Sequence, residues 1–123
     1  MATTKTKTNK TAPQFVWVFE NRWDDRHGEQ GSNVKVFATK AKADAYFAKD
    51  IKTYLENYDA LTGDGNVDAD TVSSLNTNDI ELGADDVSLA DVQKAAVKCG
   101  WLDIDMDSSG TNSTWSVTKE KVE

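Results

Sequence analysis

The sequence contains little of what several protein classes require. It has one Cys, one Pro and one His in 123 residues, so an internal disulfide framework is excluded and catalytic candidates are few. No apolar run approaches the roughly 18 residues that a membrane-spanning helix needs. The sequence motifs of P-loop, zinc-protease, serine-hydrolase and dithiol proteins are absent. We therefore expect a cytoplasmic protein that uses no cofactor and that is not an enzyme.

Basic residues are missing from a long central segment. The whole chain has 14 Lys and Arg residues against 21 Asp and Glu residues, a net charge of -7. Residues 53–93 contain no Lys or Arg. They contain ten acidic residues, which are Glu56, Asp59, Asp64, Asp68, Asp70, Asp79, Glu81, Asp85, Asp86 and Asp91. Such a segment repels nucleic-acid phosphates and attracts basic protein surfaces. A solvated loop that keeps the protein soluble would have the same composition.

The length and the charge distribution predict one domain behind a tail. Residues 1–14 carry Lys5, Lys7 and Lys10 without an acid, and they lack the apolar core of a secretory signal. We expect this segment to be a disordered basic tail. Residues 15–123 are then a single domain with an acidic insertion at residues 59–87.

Hydrophobic periodicity predicts four strands. Residues 15–20 and 33–38 are expected to form a hairpin with a long polar loop, and residues 101–107 and 114–119 a second hairpin with a turn at residues 108–112.

Two helices are predicted from periodicity and from their caps. Apolar side chains recur at three- and four-residue spacing over residues 40–57, behind Thr39 as a cap. A second helix begins after Ser88 and ends at Gly100, and Cys99 lies on its apolar stripe. The elements follow the order β-β-α-α-β-β. The economical packing is an α+β fold, an antiparallel sheet of about four strands with both helices on one face.

The strand at residues 101–107 alternates between apolar and acidic side chains. Asp103, Asp105 and Asp107 project from one face at intervals of about 6.6 Å, which is comparable to the spacing of neighbouring phosphates. This pattern suggests mimicry of a nucleic acid, although the solvent-facing side of an outer strand has the same pattern.

The loop of the first predicted hairpin collects Arg22, Trp23 and Arg26. Trp and Arg are the residues that binding hot spots favour, so we expect these three side chains to form a second contact with a partner. Alternatively, Trp23 folds back over the sheet edge and the charges of the loop pair locally.

The sequence leaves two alternatives open, a metal site and a catalytic site. Residues 63–70 (GDGNVDAD) resemble an EF-hand loop, but the alignment that puts Gly65 at the sixth position lacks the first ligand and the closing Glu. An irregular calcium site formed by Asp64, Asp68 and Asp70, in a calcium- or metal-responsive structural module, is the first alternative. A small enzyme using His27 and nearby carboxylates is the second.

The hairpin and helix of FVWVFENRWDDRHGEQGSNVKVFATKAKADAYF, with the closing hairpin WLDIDMDSSGTNSTWSV, resemble small proteins of bacteriophages and mobile elements. Among these are compact acidic inhibitors of the anti-CRISPR or anti-restriction kind, which often occupy a nucleic-acid channel. The resemblance covers residues 15–119. It implies inhibition through protein binding rather than catalysis, and it assigns no functional residue.

We therefore predict a non-enzymatic module that mimics nucleic acid and binds a basic surface of a nucleic-acid-handling protein. Its predicted contacts are Asp64, Asp68, Asp70, Asp79, Glu81, Asp85, Asp86, Asp91, Asp103, Asp105, Asp107, Arg22, Trp23 and Arg26.

Overall fold

The structure of the protein, a computed structural model, describes residues 14–25, 28–80, 87–106 and 110–122. Seven strands and two helices lie in these ranges. In chain order they are β1 (Gln14–Asp24), β2 (Gln30–Phe37), α1 (Lys40–Asn57), β3 (Asn66–Val67), β4 (Val72–Asn76), β5 (Val87–Ser88), α2 (Leu89–Cys99), β6 (Trp101–Met106) and β7 (Thr111–Val122). Neither helix in the described ranges has the length and apolar character needed to cross a membrane.

The main sheet has five antiparallel strands in the order β2-β1-β7-β6-β4. The α+β class is confirmed, but the sequence predicted about four strands because β4 lies inside the acidic segment. Val72 and Leu75 are the apolar positions of β4, and they pair with Met106 and Ile104 of β6. Both are buried, so β4 is stabilised by a partner strand about 30 residues away rather than by a strong local pattern.

Both helices pack on the same face of the sheet, as predicted. Phe47, Ile51 and Leu55 of α1 are fully buried in a core that includes Phe19 of β1 and Leu102 of β6. The α1 stripe recurs at helical spacing, so one side of the helix covers the sheet while its lysines remain exposed. The opposite face of the sheet, called the open face below, is not covered by either helix.

The predicted helix caps are confirmed. The backbone N–H of Lys42 donates to the Thr39 hydroxyl at the start of α1, at 3.3 Å. The backbone N–H of Asp91 donates to the Ser88 hydroxyl at the start of α2, at 3.1 Å. Gly100 ends α2 in the left-handed conformation, with φ of 77°, which glycine adopts without steric cost.

The first hairpin differs from the prediction. Its polar loop was expected to begin at Asn21, but β1 continues to Asp24 and β2 already begins at Gln30. Asn21 is tolerated in the sheet because its side-chain amide donates to the Ser113 hydroxyl at 2.9 Å and to the Thr114 carbonyl at 3.0 Å. These hydrogen bonds offset the cost of removing the buried amide from water.

Several predicted features lie outside the described residues. The basic tail, apart from Gln14, lies outside them, and so do Ser108 and Ser109 of the second predicted turn.

Candidate partner-binding surface

The open face is built from alternate residues of the five strands. Residues that pair across antiparallel strands point to the same face, so the strand register defines rows of neighbours. One row consists of Gln30, Asp24, Asn112, Asp105 and Ser74. The next row consists of Ser32, Arg22, Thr114, Asp103 and Asn76.

Arg22 and the strand aspartates therefore share one surface. The sequence placed Arg22 in a loop and Asp103 on a separate strand, as two different contacts. In the structure both side chains project from the open face, separated only by Thr114 of β7. The Cα atoms of Arg22 and Asp103 are therefore two strand spacings apart, or about 9.5 Å.

Each of the two aspartates of β6 contacts a polar side chain of a neighbouring strand. The Asn112 side-chain amide donates to an Asp103 carboxylate oxygen at 2.8 Å. The Ser74 hydroxyl donates to an Asp105 carboxylate oxygen at 3.5 Å, a long and weak contact. Both aspartates are half-buried, and neither forms an ion pair within the part of the chain that the structure describes.

The open face is acidic over its described residues. It carries five carboxylates, Glu20, Asp24, Asp103, Asp105 and Glu120, against the single guanidinium of Arg22. Nε of Arg22 donates to a Glu20 carboxylate oxygen at 2.9 Å, and 71% of the Arg22 side chain remains exposed. Because an exposed pair of this kind contributes little to stability, the guanidinium is available to a partner.

A shallow cavity of about 440 Å³ lies at the hairpin end of this face. It is lined by Arg22, Trp23, Asp24, Gln30, Gly31, Ser32, Asn112 and Thr114. Apart from the Trp23 ring, its lining side chains offer a guanidinium, a carboxylate, two amides and two hydroxyls. These groups suit hydrogen bonding to a polar chain rather than enclosure of an apolar ligand.

The Trp23 ring lies against Gly31 of the neighbouring strand. A Cβ atom added at Gly31 would come within 2.8 Å of Cη2 of the indole and closer still to two other ring carbons. The ring thus occupies the space that a side chain on β2 would fill, while 37% of Trp23 remains exposed. This placement agrees with the alternative in which Trp23 folds back on the sheet edge, and the exposed part still borders the cavity.

Three of the predicted acidic contacts lie on the connection between α1 and β4. Asp64, Asp68 and Asp70 precede Val72, whose pairing with Met106 places the end of this connection beside the end of β6. The backbone N–H of Asp70 donates to an Asp68 carboxylate oxygen at 2.9 Å. The connection therefore brings Asp70, two residues before Val72, toward the end of the sheet where Asp105 lies.

Other predicted contacts are elsewhere or outside the described residues. Asp91 lies in the first turn of α2. Asp79 follows β4 and forms an ion pair of 3.5 Å with Lys98 in the last turn of α2. The acidic segment is thus divided over several elements rather than forming one loop. The predicted contacts that fall outside the described residues are Arg26, Glu81, Asp85, Asp86 and Asp107.

No group of three or more His, Cys, Asp or Glu side chains in the described ranges is arranged to hold a metal ion. Asp64, Asp68 and Asp70 consequently do not form such a group. His27, on which the enzyme alternative depends, lies outside those ranges. Cys99 was expected on the buried stripe of α2, but it is half-buried and lines a cavity with Trp17 and Val117.

Sequence reasoning missed Glu20 and Asp24 as members of the surface. Glu20, Arg22 and Asp24 alternate with Phe19, Asn21 and Trp23, which is the period of a strand. That signal was present, but the polar composition after Phe19 favoured a loop. Asn112 and Ser74 have no comparable signal, because their role depends on which strands pair.

Comparison with protein-family models, with curated proteins and with solved structures finds no match to this chain.

Proposed function

We propose that the protein is a non-enzymatic acidic binding module that occupies a basic surface of a nucleic-acid-handling protein in place of nucleic acid. The observation that carries this proposal is the open face, on which five carboxylates and one guanidinium lie at the fixed spacings of a sheet. The ten acids and no Lys or Arg in residues 53–93 favour the same class of partner.

The spacing of the carboxylates supports mimicry. Asp103 and Asp105 lie two residues apart on β6, a separation of about 6.6 Å. Asp24 and Asp105 lie on either side of Asn112 in one row, about 9.5 Å apart. A basic groove that binds successive phosphates of a strand would meet carboxylates at comparable intervals.

The absence of internal ion pairs at these carboxylates, among the described residues, supports binding to a partner's basic side chains. Asp24, Asp103 and Asp105 have no ion pair within the described residues, so a partner's Arg or Lys need not displace an internal cation. Asn112 restricts the Asp103 carboxylate before binding, which lowers the ordering cost of a contact. The aspartates of the α1–β4 connection extend the attractive field and would raise the rate of association.

Matched charge variants test the proposal. The open-face variant is Asp24→Asn, Asp103→Asn and Asp105→Asn. The control is Asp44→Asn, Glu56→Gln and Asp59→Asn, which removes the same charge. Asp44 and Glu56 lie on α1 and Asp59 follows the C-cap of that helix, so all three are outside the open face, and Asp44 already pairs with Lys40.

Each tagged protein is used to capture partners from a bacterial lysate at about 0.05 M and about 0.5 M salt, with and without competing duplex DNA. We expect a nucleic-acid-handling protein that is retained at low salt, displaced by DNA and lost with the open-face variant. With the purified partner, the open-face variant should bind at least about tenfold more weakly, or about 1.4 kcal/mol. The proposal is wrong if both variants retain the same proteins as the wild type, or if no captured protein is displaced by DNA.

A further inference from the structure

Strand β2 forms one edge of the main sheet, and no described residue pairs with its outer side. It pairs with β1 along its whole length without a register shift. An outer edge presents unpaired N–H and C=O groups, and proteins commonly protect such edges with proline, bulges or outward charges. β2 has no proline and no bulge. Its one charged residue, Lys35, lies on the helix side with Nζ 5.9 Å from the centre of the Tyr46 ring.

The open-face side chains of β2 are uncharged. They are Gln30, Ser32, Val34 and Val36. Val34 is 53% exposed and Val36 is 62% exposed. The apolar strip continues onto β1, where Val18 pairs with Val36. Among the described residues, the edge therefore combines backbone hydrogen-bonding groups that have no strand partner with exposed β-branched side chains, and its open-face side carries no charge that would repel an identical edge.

We propose that β2 pairs antiparallel with β2 of a second copy of this chain, about a two-fold axis at Val34. A two-fold interface requires a self-complementary surface. In this register Val34 lies opposite Val34 of the second copy, Ser32 lies opposite Val36, and Asn33 lies opposite Lys35. Moving the axis to Lys35 would place two lysines directly opposite each other, which is destabilising.

The charges at the two ends of β2 favour the same arrangement. Antiparallel pairing about Val34 brings Glu29 of one copy level with Thr39 of the other, next to Lys40. Both Glu29 and Lys40 are exposed, but Lys40 already pairs with Asp44 of its own helix, so the main attraction for Glu29 is the start of that helix. Thr39 is the N-cap of α1, and the N-terminus of a helix carries a partial positive charge that attracts a carboxylate. The symmetry repeats this contact at both ends of the seam.

A second copy fits this edge better than the basic partner proposed for the carboxylates. A strongly basic surface gains nothing from an uncharged strip of valine and serine, whereas an identical strip supplies matching hydrogen bonds and matching side chains. The pairing would join two five-stranded sheets into one. It is independent of the proposed function, because it uses the edge and not the carboxylates.

Disulfide formation at chosen positions tests the register. In a Cys99→Ala background, Val34→Cys should form a disulfide with itself on mild oxidation, because residue 34 lies opposite its own copy. Val36→Cys should not, since two residues 36 would lie about 14 Å apart and a disulfide needs Cα atoms within about 7 Å. A mixture of Ser32→Cys and Val36→Cys proteins should form the mixed disulfide. Equal self-linking of the position-34 and position-36 variants would overturn the register.

Sedimentation equilibrium tests the association itself, from about 1 μM to about 1 mM full-length protein. We expect the wild type to dimerise within this range. Val34→Glu places two carboxylates at the axis and should weaken dimerisation at least tenfold. Thr118→Glu should leave it unchanged, because Thr118 is an exposed open-face residue on the interior strand β7. A wild type that stays monomeric at the highest concentration, or equal effects of the two substitutions, would overturn the proposal.

Discussion

The indole nitrogen of Trp115 donates a hydrogen bond of 2.9 Å to a carboxylate oxygen of Asp50. Trp115 lies on β7 with 1% of its surface exposed, and Asp50 lies on α1. This bond connects the longest helix to the centre of the sheet. It also satisfies the only polar group of a large core side chain, which is otherwise costly to bury.

Replacing Asp50 tests the importance of that acceptor. Asp50→Ala leaves the buried indole N–H without its partner and should lower the free energy of unfolding by about 1–3 kcal/mol. Asp50→Asn keeps an oxygen acceptor and should cost less than Asp50→Ala. Denaturant unfolding of both variants measures the difference. Asp44→Ala is the control, because it removes a carboxylate of the same helix whose partner is the largely exposed Lys40; equal losses for Asp50→Ala and Asp44→Ala would contradict the argument.

Gly31→Ala should destabilise the edge of the sheet. The added Cβ would overlap the Trp23 ring, so the ring must leave its position or the strands must separate. We expect a loss of about 1–3 kcal/mol and a change in tryptophan fluorescence. Gly63→Ala is a matched control, because a Cβ atom added at Gly63 would have no atom within 4 Å.

A double-mutant cycle separates the clash from other effects of the Gly31 substitution. If the clash is the cause, Gly31→Ala should cost much less in a Trp23→Ala background. An unchanged cost in that background would show that the conformation of β2, rather than contact with Trp23, requires glycine.

Ser88→Ala should remove the N-cap of α2. Its hydroxyl accepts the backbone N–H of Asp91, and loss of such a cap typically costs about 1 kcal/mol. Ser88→Asp, which also accepts at this position, should retain most of the stability. Thermal unfolding of both variants measures the effect, and equal losses would argue against capping.

Tyr54 should make the protein more sensitive to alkaline pH. Burial raises the pKa of its hydroxyl above the ordinary value of 10.0, Tyr58 raises it further, and the proximity of Ser113 lowers it in part. The hydroxyl has no hydrogen-bond partner within the described residues. Because the folded state holds the neutral form, the stability is present in full below about pH 10 and falls as the pH rises above it.

Tyr54→Phe removes this ionisation. The variant should lose less stability than the wild type between roughly pH 9 and pH 11. At neutral pH it should be as stable as the wild type or more stable by up to about 1 kcal/mol, since no hydrogen bond is lost. Chemical unfolding at several pH values measures both effects. Parallel stability curves for the two proteins would contradict the assignment.

The elements with strong local signals were predictable. Thr39, Ser88 and Gly100 determine the ends of the helices through contacts within a few residues. The inward direction of Leu102 and Ile104 follows from alternation along β6. These features depend on chain geometry that is local to each element, so the sequence alone was sufficient.

The candidate surface was predictable only in part. Asp103 and Asp105 were correctly expected to lie opposite the apolar residues of β6. Arg22 was expected in a loop, because a strand that contains Asn21 is favourable only when Ser113 and Thr114 accept hydrogen bonds from it. Those acceptors lie more than 90 residues away along the chain.

Local sequence was enough to specify the two helices and their caps, the alternation of the strands and the uneven distribution of charge. Long-range contacts were needed to establish that β4 joins the sheet, that Val34 and Val36 are exposed, and that Arg22 lies in one row with Asp103. The difference arises because periodicity and capping act within a helix or a strand. Strand pairing and the choice of the covered face depend on contacts between distant segments, which are favourable only when all of them form together.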